Sequence, residues 1–304
     1  MTVIITGANG FIGRHLINGL LSHGVTVYAI VREELAEHDN RRGCHFVVGD
    51  LGDVKSICGV LPREPDAFFH LAWDGTAPEK RKDPAIQIGN IALGVNAVRL
   101  AAAIGAKRFI LPGSTMEYAF NSGTPSAVTF PEPYDFFGAT KIAVRLMCRR
   151  LCQDSGVPFI YVLITGIYGA DRNDNNVITY AITQLLAGKR PSFTRLEQLW
   201  DYVHIDDVAE ALYLIASRGK DDRFYMVGHG DNWPLANYIC MIRDMIDPQL
   251  PLGIGDIPYK DAKVPSSCVD MTTLREDTGF IPKISFQDGI KTVICAKMSD
   301  ICAE

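Results

Sequence analysis

Short apolar runs alternate with longer amphipathic stretches along the first half of the chain. The runs are rich in valine, isoleucine and phenylalanine, which favour strands, and the stretches between them repeat apolar residues at helical spacing. The predicted strands cover residues 3–6, 25–31, 45–48, 67–71, 108–111 and 158–164. The predicted helices cover residues 11–22, 54–60, 84–103 and 136–153. Because strands that alternate with helices form parallel sheets covered on both faces, we predict an α/β fold with a doubly wound parallel sheet.

The pattern becomes less regular after Gly169, where polar loops and shorter helices follow. Further helices are predicted at residues 177–186, 206–215, 271–276 and 286–297. We therefore divide the chain into two parts. Residues 1–165 with 201–228 are predicted to form the sheet domain, and residues 166–200 with 229–304 a smaller C-terminal α/β lobe over the carboxyl edge of the sheet.

Three glycines, Gly7, Gly10 and Gly13, connect the first predicted strand to the first predicted helix. Gly7 permits a tight turn, Gly10 lets a pyrophosphate approach the backbone, and Gly13 lets the helix pack closely on the sheet. The first helical residues, Phe11 and Ile12, then present free N–H groups at the positive end of the helix dipole. This strand–turn–helix context predicts a dinucleotide-binding site.

A set of motifs is spread along nearly the whole chain. The motifs are Thr6-Gly7-Ala8-Asn9-Gly10-Phe11-Ile12-Gly13, Gly49-Asp50-Leu51, His70-Leu71-Ala72, Ser114 with Glu117-Tyr118, Tyr168-Gly169, residues 201–207 and residues 279–282. With them the chain resembles the extended short-chain dehydrogenase/reductases of the NAD-dependent epimerase/dehydratase type. The resemblance implies a Rossmann-type domain, a C-terminal substrate lobe and a nucleotide-diphosphate sugar as substrate. It also implies that Asp50 and Leu51 contact the adenine end of the cofactor and that Leu71 and Ala72 line it.

The end of the second predicted strand bears on the choice of cofactor. NAD-binding domains usually carry an acidic residue there, which accepts from the ribose 2′-hydroxyl. Here Arg32 occupies that neighbourhood, and a guanidinium can hold a 2′-phosphate bidentately. The sequence therefore favours NADP(H). NAD(H) is the alternative, with Arg32 stacked on the adenine and Glu33 or Glu34 serving the ribose.

The resemblance also implies a catalytic serine or threonine, a tyrosine and a lysine. Ser114 and Lys141 match the hydroxyl and lysine positions, and the tyrosine position, four residues before the lysine, is Phe137. A phenyl ring cannot exchange a proton, so we expect this chain to be nearly inactive. Either a tyrosine has been replaced by phenylalanine in this chain, or the chain is a natural homologue that is catalytically inactive or uses a different catalytic arrangement. Tyr134 either replaces the missing tyrosine as the proton-exchanging group or is an aromatic residue of the loop before the helix.

The residues after Ser114 help to distinguish reactions within the family. The 4,6-dehydratases of this family carry an Asp-Glu pair there, whereas this chain has Thr115 and Met116, which disfavours a dehydratase. Arg32 favours NADPH and hence reduction of a nucleotide-linked 4-keto-6-deoxy sugar. The alternatives are an NAD-dependent nucleotide-sugar 4-epimerase and a non-catalytic dinucleotide-binding homologue.

The predicted substrate contacts are less specific than the cofactor motifs. The candidates are Trp73, Asn90, Thr115, Met116, Tyr134, Gly166 and Arg195, with Arg172 and Lys189 as further candidates for a diphosphate. Three positions differ from what the resemblance implies: an arginine near the end of the sixth strand is replaced by Leu163, a substrate-contacting asparagine by Gly166, and the arginine before residues 201–203 by Trp200.

Composition bears on the classes of partner that the chain can bind and on its cellular compartment. The net charge of −5 and the pI near 5.8 argue against a nucleic-acid or membrane-surface partner. We identify no secretory signal and no apolar run long enough to span a bilayer, and the cysteines have neither zinc-site spacing nor a disulfide pattern. We therefore expect a cytoplasmic protein without a metal. The family also implies a homodimer, paired through the helices predicted at 84–103 and 136–153.

Overall fold

The computed structural model describes residues 1–33, 42–121, 124–172, 174–259 and 264–303. The strands are β1 (Thr2–Thr6), β2 (Thr26–Val31), β3 (Cys44–Val48), β4 (Ala67–His70), β5 (Phe109–Ser114), β6 (Phe159–Ile164), β7 (Gly166–Tyr168), β8 (Ser192–Phe193), β9 (Leu199–Trp200), β10 (Tyr202–His204), β11 (Phe224–Val227), β12 (Trp233–Pro234) and β13 (Gly253–Ile254). The helices are α1 (Phe11–Ser22), α2 (Val54–Cys58), α3 (Pro84–Ala103), α4 (Phe136–Ser155), α5 (Val177–Leu186), α6 (Ile205–Arg218), α7 (Leu235–Ile246), α8 (Thr272–Thr278) and α9 (Phe286–Ala303). Two 3₁₀ turns, Lys80–Lys82 and Thr115–Tyr118, follow β4 and β5.

Seven parallel strands form the central sheet in the order β11-β6-β5-β4-β1-β2-β3. The chain moves outward from β1 through β2 to β3 and then crosses back to β4 on the other side of β1. Ligands of such sheets bind beyond the carboxyl ends of the strands at the point where the order reverses, here between β1 and β4. The predicted Rossmann-type α/β fold is confirmed.

Burial of the sheet on both faces explains the apolar runs. Every residue of β4 and β6 is buried, because helices cover both sides of the sheet. Among these helices α1 packs against α6, and α3 packs against α2 and α4.

A second apolar cluster lies in the C-terminal half. It is built from α5, α7, α9 and the short strands between them, with Tyr168, Tyr238 and Phe286 at its centre. Val269, Met271 and Phe280 instead pack on the core of the main sheet, so the segment before α9 returns to the first cluster. The division into two domains at the predicted boundaries stays a prediction.

Local signals set the ends of the two helices that carry the site. Asp83 caps α3 by accepting from the backbone N of Ala85 at 2.9 Å, and Pro84 follows at the first helical position. Asp135 caps α4 by accepting from the backbone N of Gly138 at 2.9 Å. Since α3 follows β4 and α4 follows β5 in the chain, these caps set where each helix begins after the carboxyl end of its strand.

Helix α3 corrects one sequence expectation. It has 20 residues and is apolar enough to pass a length-and-composition test for a membrane span, so the expectation that no run reaches this length is wrong. In the fold this helix packs against α4, and 39 % of its most apolar window is buried. Ile88 of α3 and Leu146 and Met147 of α4 are exposed apolar side chains, and the homodimer through these helices stays a prediction.

Candidate active site

The glycine-rich turn lies at the carboxyl end of β1, against the end of β4. Gly7 has a φ of 72°, and a Cβ built on it would lie 2.5 Å from the backbone N of Ala72. A Cβ on Gly13 would lie 2.4 Å from the carbonyl oxygen of Gly7. At both positions a methyl group would clash with backbone atoms, which cannot move without distorting the turn. Both glycines are therefore required by the packing of the turn.

The N-terminus of α1 has the properties of an anion site. Gly10 is its N-cap, no side chain caps it, and no acidic residue lies in its first turn, which includes Phe11 and Ile12. The space around a Cβ on Gly10 is nearly open, with only the Gly7 oxygen nearby at 3.2 Å. These residues therefore fit the pyrophosphate of a dinucleotide, which would accept hydrogen bonds from the free N–H groups.

Hydrogen bonds fix the end of β4 to the end of β1. The Thr6 hydroxyl and Nδ1 of His70 are hydrogen-bonded at 2.9 Å, and the backbone N of Ala72 donates to the same hydroxyl at 3.3 Å. Leu71 and Ala72 therefore lie beside the glycine-rich turn, where the resemblance places the cofactor. His70 is buried, and burial together with the nearby Lys141 lowers its pKa to about 3.

This neutral histidine makes a testable contribution to acid sensitivity. The unfolded chain takes up a proton at His70 below pH 6.5 and the folded chain only below about 3, so folding stability decreases as pH decreases through that window. We expect His70→Gln to remove a slope of about 1.4 kcal/mol per pH unit. Urea unfolding between pH 4.5 and 6.5 measures it, with His45→Gln, at an exposed histidine, as the control. Equal slopes in parent and His70→Gln would contradict the assignment.

Of the residues predicted to lie at the adenine end of the cofactor, Arg32 and Asp50 are exposed and Leu51 is buried. The Asp50 carboxylate accepts from the backbone N of Gly52 at 2.6 Å. Nη2 of Arg32 lies 3.0 Å from a carboxylate oxygen of Asp74, and 71 % of the Arg32 side chain is exposed. Glu33 is exposed, and Glu34 lies outside the described residues.

The three predicted catalytic positions meet at the carboxyl end of β5. Ser114 ends that strand, and Lys141 on α4 donates to the backbone oxygen of Pro112 at 3.2 Å. The Lys141 Nζ lies 5.6 Å from the ring centre of Phe137 and 3.8 Å from that of Trp73. Phe137 is buried, and its ring meets the Trp73 ring edge-on at 5.5 Å. Burial lowers the pKa of Lys141 to about 8, and the charge of Glu117 partly opposes this.

A buried ionisable cluster lies directly behind Ser114. Glu117 accepts from the backbone N of Ser114 at 2.9 Å and from the hydroxyl of Tyr161, and Nη1 of Arg145 lies 3.9 Å from its other oxygen. Burial raises the pKa of Glu117. The Ser114 hydroxyl accepts from the backbone N of Met116 at 3.2 Å, so Ser114 and Glu117 together cap the 3₁₀ turn. Sequence reasoning missed the role of Glu117, although a serine followed three residues later by a glutamate is the pattern of a capping box.

Arg81 is the second residue that sequence reasoning missed. It lies on the 3₁₀ turn before α3, and its guanidinium carbon is 4.1 Å from the ring centre of Phe137. Its Nε lies 3.7 Å from a carboxylate oxygen of Asp135. In the sequence Arg81 stands between two lysines and resembles part of an ordinary solvated basic run, so no signal distinguished it.

The model of the NAD dependent epimerase/dehydratase family matches residues 3–228. The chain belongs to this family. Among curated relatives, a dTDP-glucose 4,6-dehydratase from Escherichia coli is 26 % identical over 349 residues, covering 97 % of this chain and 92 % of the relative. Another from Haemophilus influenzae is 23 % identical, with 97 % of each chain covered.

Solved structures of the family share the fold. A UDP-glucose 4-epimerase from Thermotoga maritima, in a structure with UDP-glucose, superposes with a TM-score of 0.83 at 21 % identity, covering 99 % of this chain and 100 % of that one. A dTDP-glucose 4,6-dehydratase from Streptomyces venezuelae with NAD bound gives 0.84 at 20 % identity, covering 99 % and 98 %. The resemblance to the extended short-chain dehydrogenase/reductases is confirmed.

Trp73 and Asn90 lie together on the loop after β4 and on α3. The Trp73 indole N–H donates to Gln87 at 3.1 Å. Asn90 is buried, accepting from the backbone N of Asp74 at 2.7 Å and donating to the Asp74 oxygen at 3.0 Å. The Asn90 amide therefore positions the loop that carries Trp73, and a direct substrate contact by Asn90 stays a prediction.

The residues around Met116 lie on one side of the site. Thr115 is buried, and its hydroxyl accepts from the Ser267 hydroxyl at 2.7 Å, so it joins the 3₁₀ turn to the C-terminal segment. The Met116 oxygen accepts from the backbone N of Tyr134 at 3.0 Å. The exposed Tyr134 ring packs near Phe120 at 5.7 Å, in the loop before α4.

Gly166 and Trp200, the two positions at which we expect this part of the chain to depart from the family, are in contact. A Cβ on Gly166 would lie 2.7 Å from the indole nitrogen of Trp200 and 2.8 Å from the ring of Tyr202. The indole thus fills the space that a side chain at position 166 would need.

The candidate diphosphate contacts do not converge. Arg195 is exposed and pairs with Glu197 at 3.3 Å. Arg172 binds both carboxylate oxygens of Asp174, at 2.7 and 2.6 Å, and Lys189 is exposed after α5. Contact of Arg195 or Lys189 with a diphosphate stays a prediction.

Proposed function

We propose that this chain binds a nicotinamide dinucleotide and a nucleotide-diphosphate sugar and belongs to the enzymes that oxidise and reduce the sugar at C4. The observation that carries the proposal is that Lys141 and position 137 lie 5.6 Å apart at the end of the strand that carries Ser114. Lys141 also contacts Trp73, which follows Ala72, the residue packed against Gly7. The dinucleotide, when bound, supplies the hydride acceptor or donor. The relatives and solved structures named above act on or contain nucleotide sugars, and this substrate class is extended to the chain on that basis.

The roles of the chain's own residues follow from their positions. Lys141, held by the Pro112 carbonyl and half-buried beside Trp73, would hold the nicotinamide ribose. The Ser114 hydroxyl would donate to the reacting oxygen of the sugar. The side chain at 137 would exchange the proton, and phenylalanine lacks the hydroxyl for this step. The aromatic surfaces of Trp73 and Phe137 exclude water from the reacting end.

The arrangement of Arg32 favours NAD(H) as the cofactor and hence 4-epimerisation as the reaction. Arg32 pairs with Asp74 at 3.0 Å, which neutralises the charge that a 2′-phosphate would need. The second candidate is reduction of a nucleotide-linked 4-keto-6-deoxy sugar by NADPH, because the Arg32 side chain is exposed and its pairing with Asp74 is exchangeable. A dehydratase is disfavoured, since Thr115 is engaged by Ser267 and Met116 has no acid–base group. A homodimer through α3 and α4 and a cytoplasmic location complete the proposal.

Binding and product analysis test this function directly. NAD(H) and NADP(H) are titrated into the chain by calorimetry, followed by UDP-glucose and dTDP-glucose in the presence of the preferred cofactor. The Phe137→Tyr variant is then assayed for C4 inversion of UDP-glucose and for NADPH oxidation with a dTDP-linked 4-keto-6-deoxy sugar. Absence of dinucleotide binding, or of any nucleotide-sugar binding, would refute the proposal.

Removing Arg32 distinguishes the two cofactors. If NADPH is the cofactor, Arg32→Ala is expected to weaken NADPH binding about 10- to 100-fold, since a charge-assisted contact is lost, and to leave NADH binding within about threefold. Calorimetric titration measures both. Arg63→Ala is the control, because Arg63 is exposed before β4 at the opposite edge of the sheet. Unchanged NADPH affinity in Arg32→Ala would assign the site to NAD(H).

A further inference from the structure

The guanidinium of Arg81 lies at the reacting end of the site rather than at a phosphate position. Its carbon is 4.1 Å from the ring centre of Phe137, the side chain at the position where the family carries the proton-transferring tyrosine. The turn Lys80–Lys82 brings it there from the start of α3. A group that Arg81 binds would therefore belong to the sugar itself.

Arg81 has an incomplete set of partners. Its Nε is buried and has no hydrogen-bond partner among the described residues. The nearest carboxylate oxygen, on Asp135, is 3.7 Å away, beyond hydrogen-bond distance, and the other oxygen of Asp135 is used to cap α4. Both oxygens of the nearby Asp174 accept from Arg172, so that carboxylate is already engaged. The Arg81 side chain is 27 % exposed, so the rest of the guanidinium is open to a ligand, while the buried Nε is left without an acceptor that a ligand could supply.

Lys141 increases the excess of positive charge. In the part of the chain that the structure describes, its Nζ forms no ion pair and donates only to the Pro112 carbonyl. Two cations thus flank the Phe137 ring, and within the described residues neither of the carboxylates nearest to them, Asp135 beside Arg81 and Glu117 behind Ser114, forms a hydrogen bond with its cation. An oxidised nicotinamide beside Lys141 would add a further positive charge. The electrostatics of the reacting end therefore favour an anionic sugar over a neutral one.

We infer that Arg81 forms a subsite for a carboxylate on the sugar, so that the preferred substrate class is a nucleotide-linked uronic acid. The planar fork of a guanidinium matches a carboxylate bidentately. In a hexuronic acid the carboxylate is attached to C5, next to the reacting C4, which suits a cation stacked on the ring at position 137. This inference rests on the proposed C4 chemistry and replaces the neutral or 6-deoxy sugar by an acidic one.

Equilibrium binding tests the inference without turnover, because the Phe137 chain is expected to be nearly inactive. The chain saturated with NAD⁺ is titrated with UDP, UDP-glucose and UDP-glucuronate by calorimetry. We expect UDP-glucuronate to bind at least about tenfold more tightly than UDP-glucose. Arg81→Gln should remove this preference and leave the affinities for UDP and UDP-glucose within about twofold, and Arg81→Lys should retain part of it.

The matched control is Lys82→Gln, which removes one positive charge from an exposed position on the same turn. Thermal unfolding and NAD⁺ affinity confirm that each variant is folded. Equal affinity for the two sugars in the parent would overturn the uronate inference and leave the proposed function intact. If Arg81→Gln weakened the binding of UDP as much as that of UDP-glucuronate, Arg81 would be assigned to the diphosphate and the inference would be wrong. Failure of all three ligands to bind would instead refute the proposed function.

Discussion

Replacing Phe137 by tyrosine is expected to raise turnover of the sugar substrate by about 10²- to 10⁴-fold, the usual contribution of a positioned general acid or base. The ring at position 137 already lies 5.6 Å from the Lys141 Nζ, beside the strand end that carries Ser114. The half-buried Lys141 ammonium would favour the ionised form of a new phenol and so bring the pKa of that phenol closer to the pH of the reaction. Initial rates of C4 inversion and of NAD(P)H oxidation measure the gain.

Phe136→Tyr provides the control for this substitution. It adds the same hydroxyl one residue earlier, on a ring that is exposed, and should leave the rate unchanged. A gain confined to Phe137→Tyr would mean that the chain is an inactivated form of a catalyst. Equal rates in parent and Phe137→Tyr, with both ligands still bound, would mean that the natural role is binding or that another group moves the proton.

Asp201→Ala is expected to lower the free energy of unfolding by about 3–5 kcal/mol, the cost of breaking a buried charged network. The carboxylate is fully buried and accepts from the backbone N of His229, Gly230 and Asp231 at 2.8, 2.7 and 3.0 Å. It also accepts from the Thr165 hydroxyl at 3.0 Å. Alanine would leave four donors without an acceptor. Urea unfolding with a single probe measures the change.

Asp221→Ala is the matched control, because that carboxylate is 49 % exposed and lies 4.0 Å from its arginine partner. It should change the stability by less than about 0.5 kcal/mol. Asp201→Asn keeps the shape and one acceptor and should give an intermediate loss. A loss below about 1 kcal/mol in Asp201→Ala would show that water replaces the carboxylate and that the loop after β11 does not depend on it.

The parts of the fold with strong local patterns were predictable. Six of the seven sheet strands were predicted within a few residues, because strands buried on both faces are continuous apolar runs. The seventh, β11, has four residues at the sheet edge and gives too short a signal. Helix α7 was also missed, since it begins after Pro234 without a side-chain cap.

The same distinction between local and long-range sequence signals applies to the candidate site. Gly7 and Gly13 were predictable because a side chain at either position would collide with backbone that is close in sequence or lies at the end of a neighbouring strand. Glu117 and Tyr161 are 44 positions apart, and no local pattern connects them. The buried amide of Asn90 shows the converse case: the residue type suggests a ligand contact, and only the fold reveals that the amide holds its own loop.

The packing at Gly166 also limits which side chains position 166 can accept. The end of the Trp200 side chain and the ring of Tyr202 lie 2.7 and 2.8 Å from the place that a Cβ would occupy there. A residue larger than glycine at 166 therefore requires both aromatic side chains to shift. We expect such a residue to be accommodated best together with a smaller side chain at position 200 or 202, so the three positions should be varied jointly when this part of the protein is redesigned.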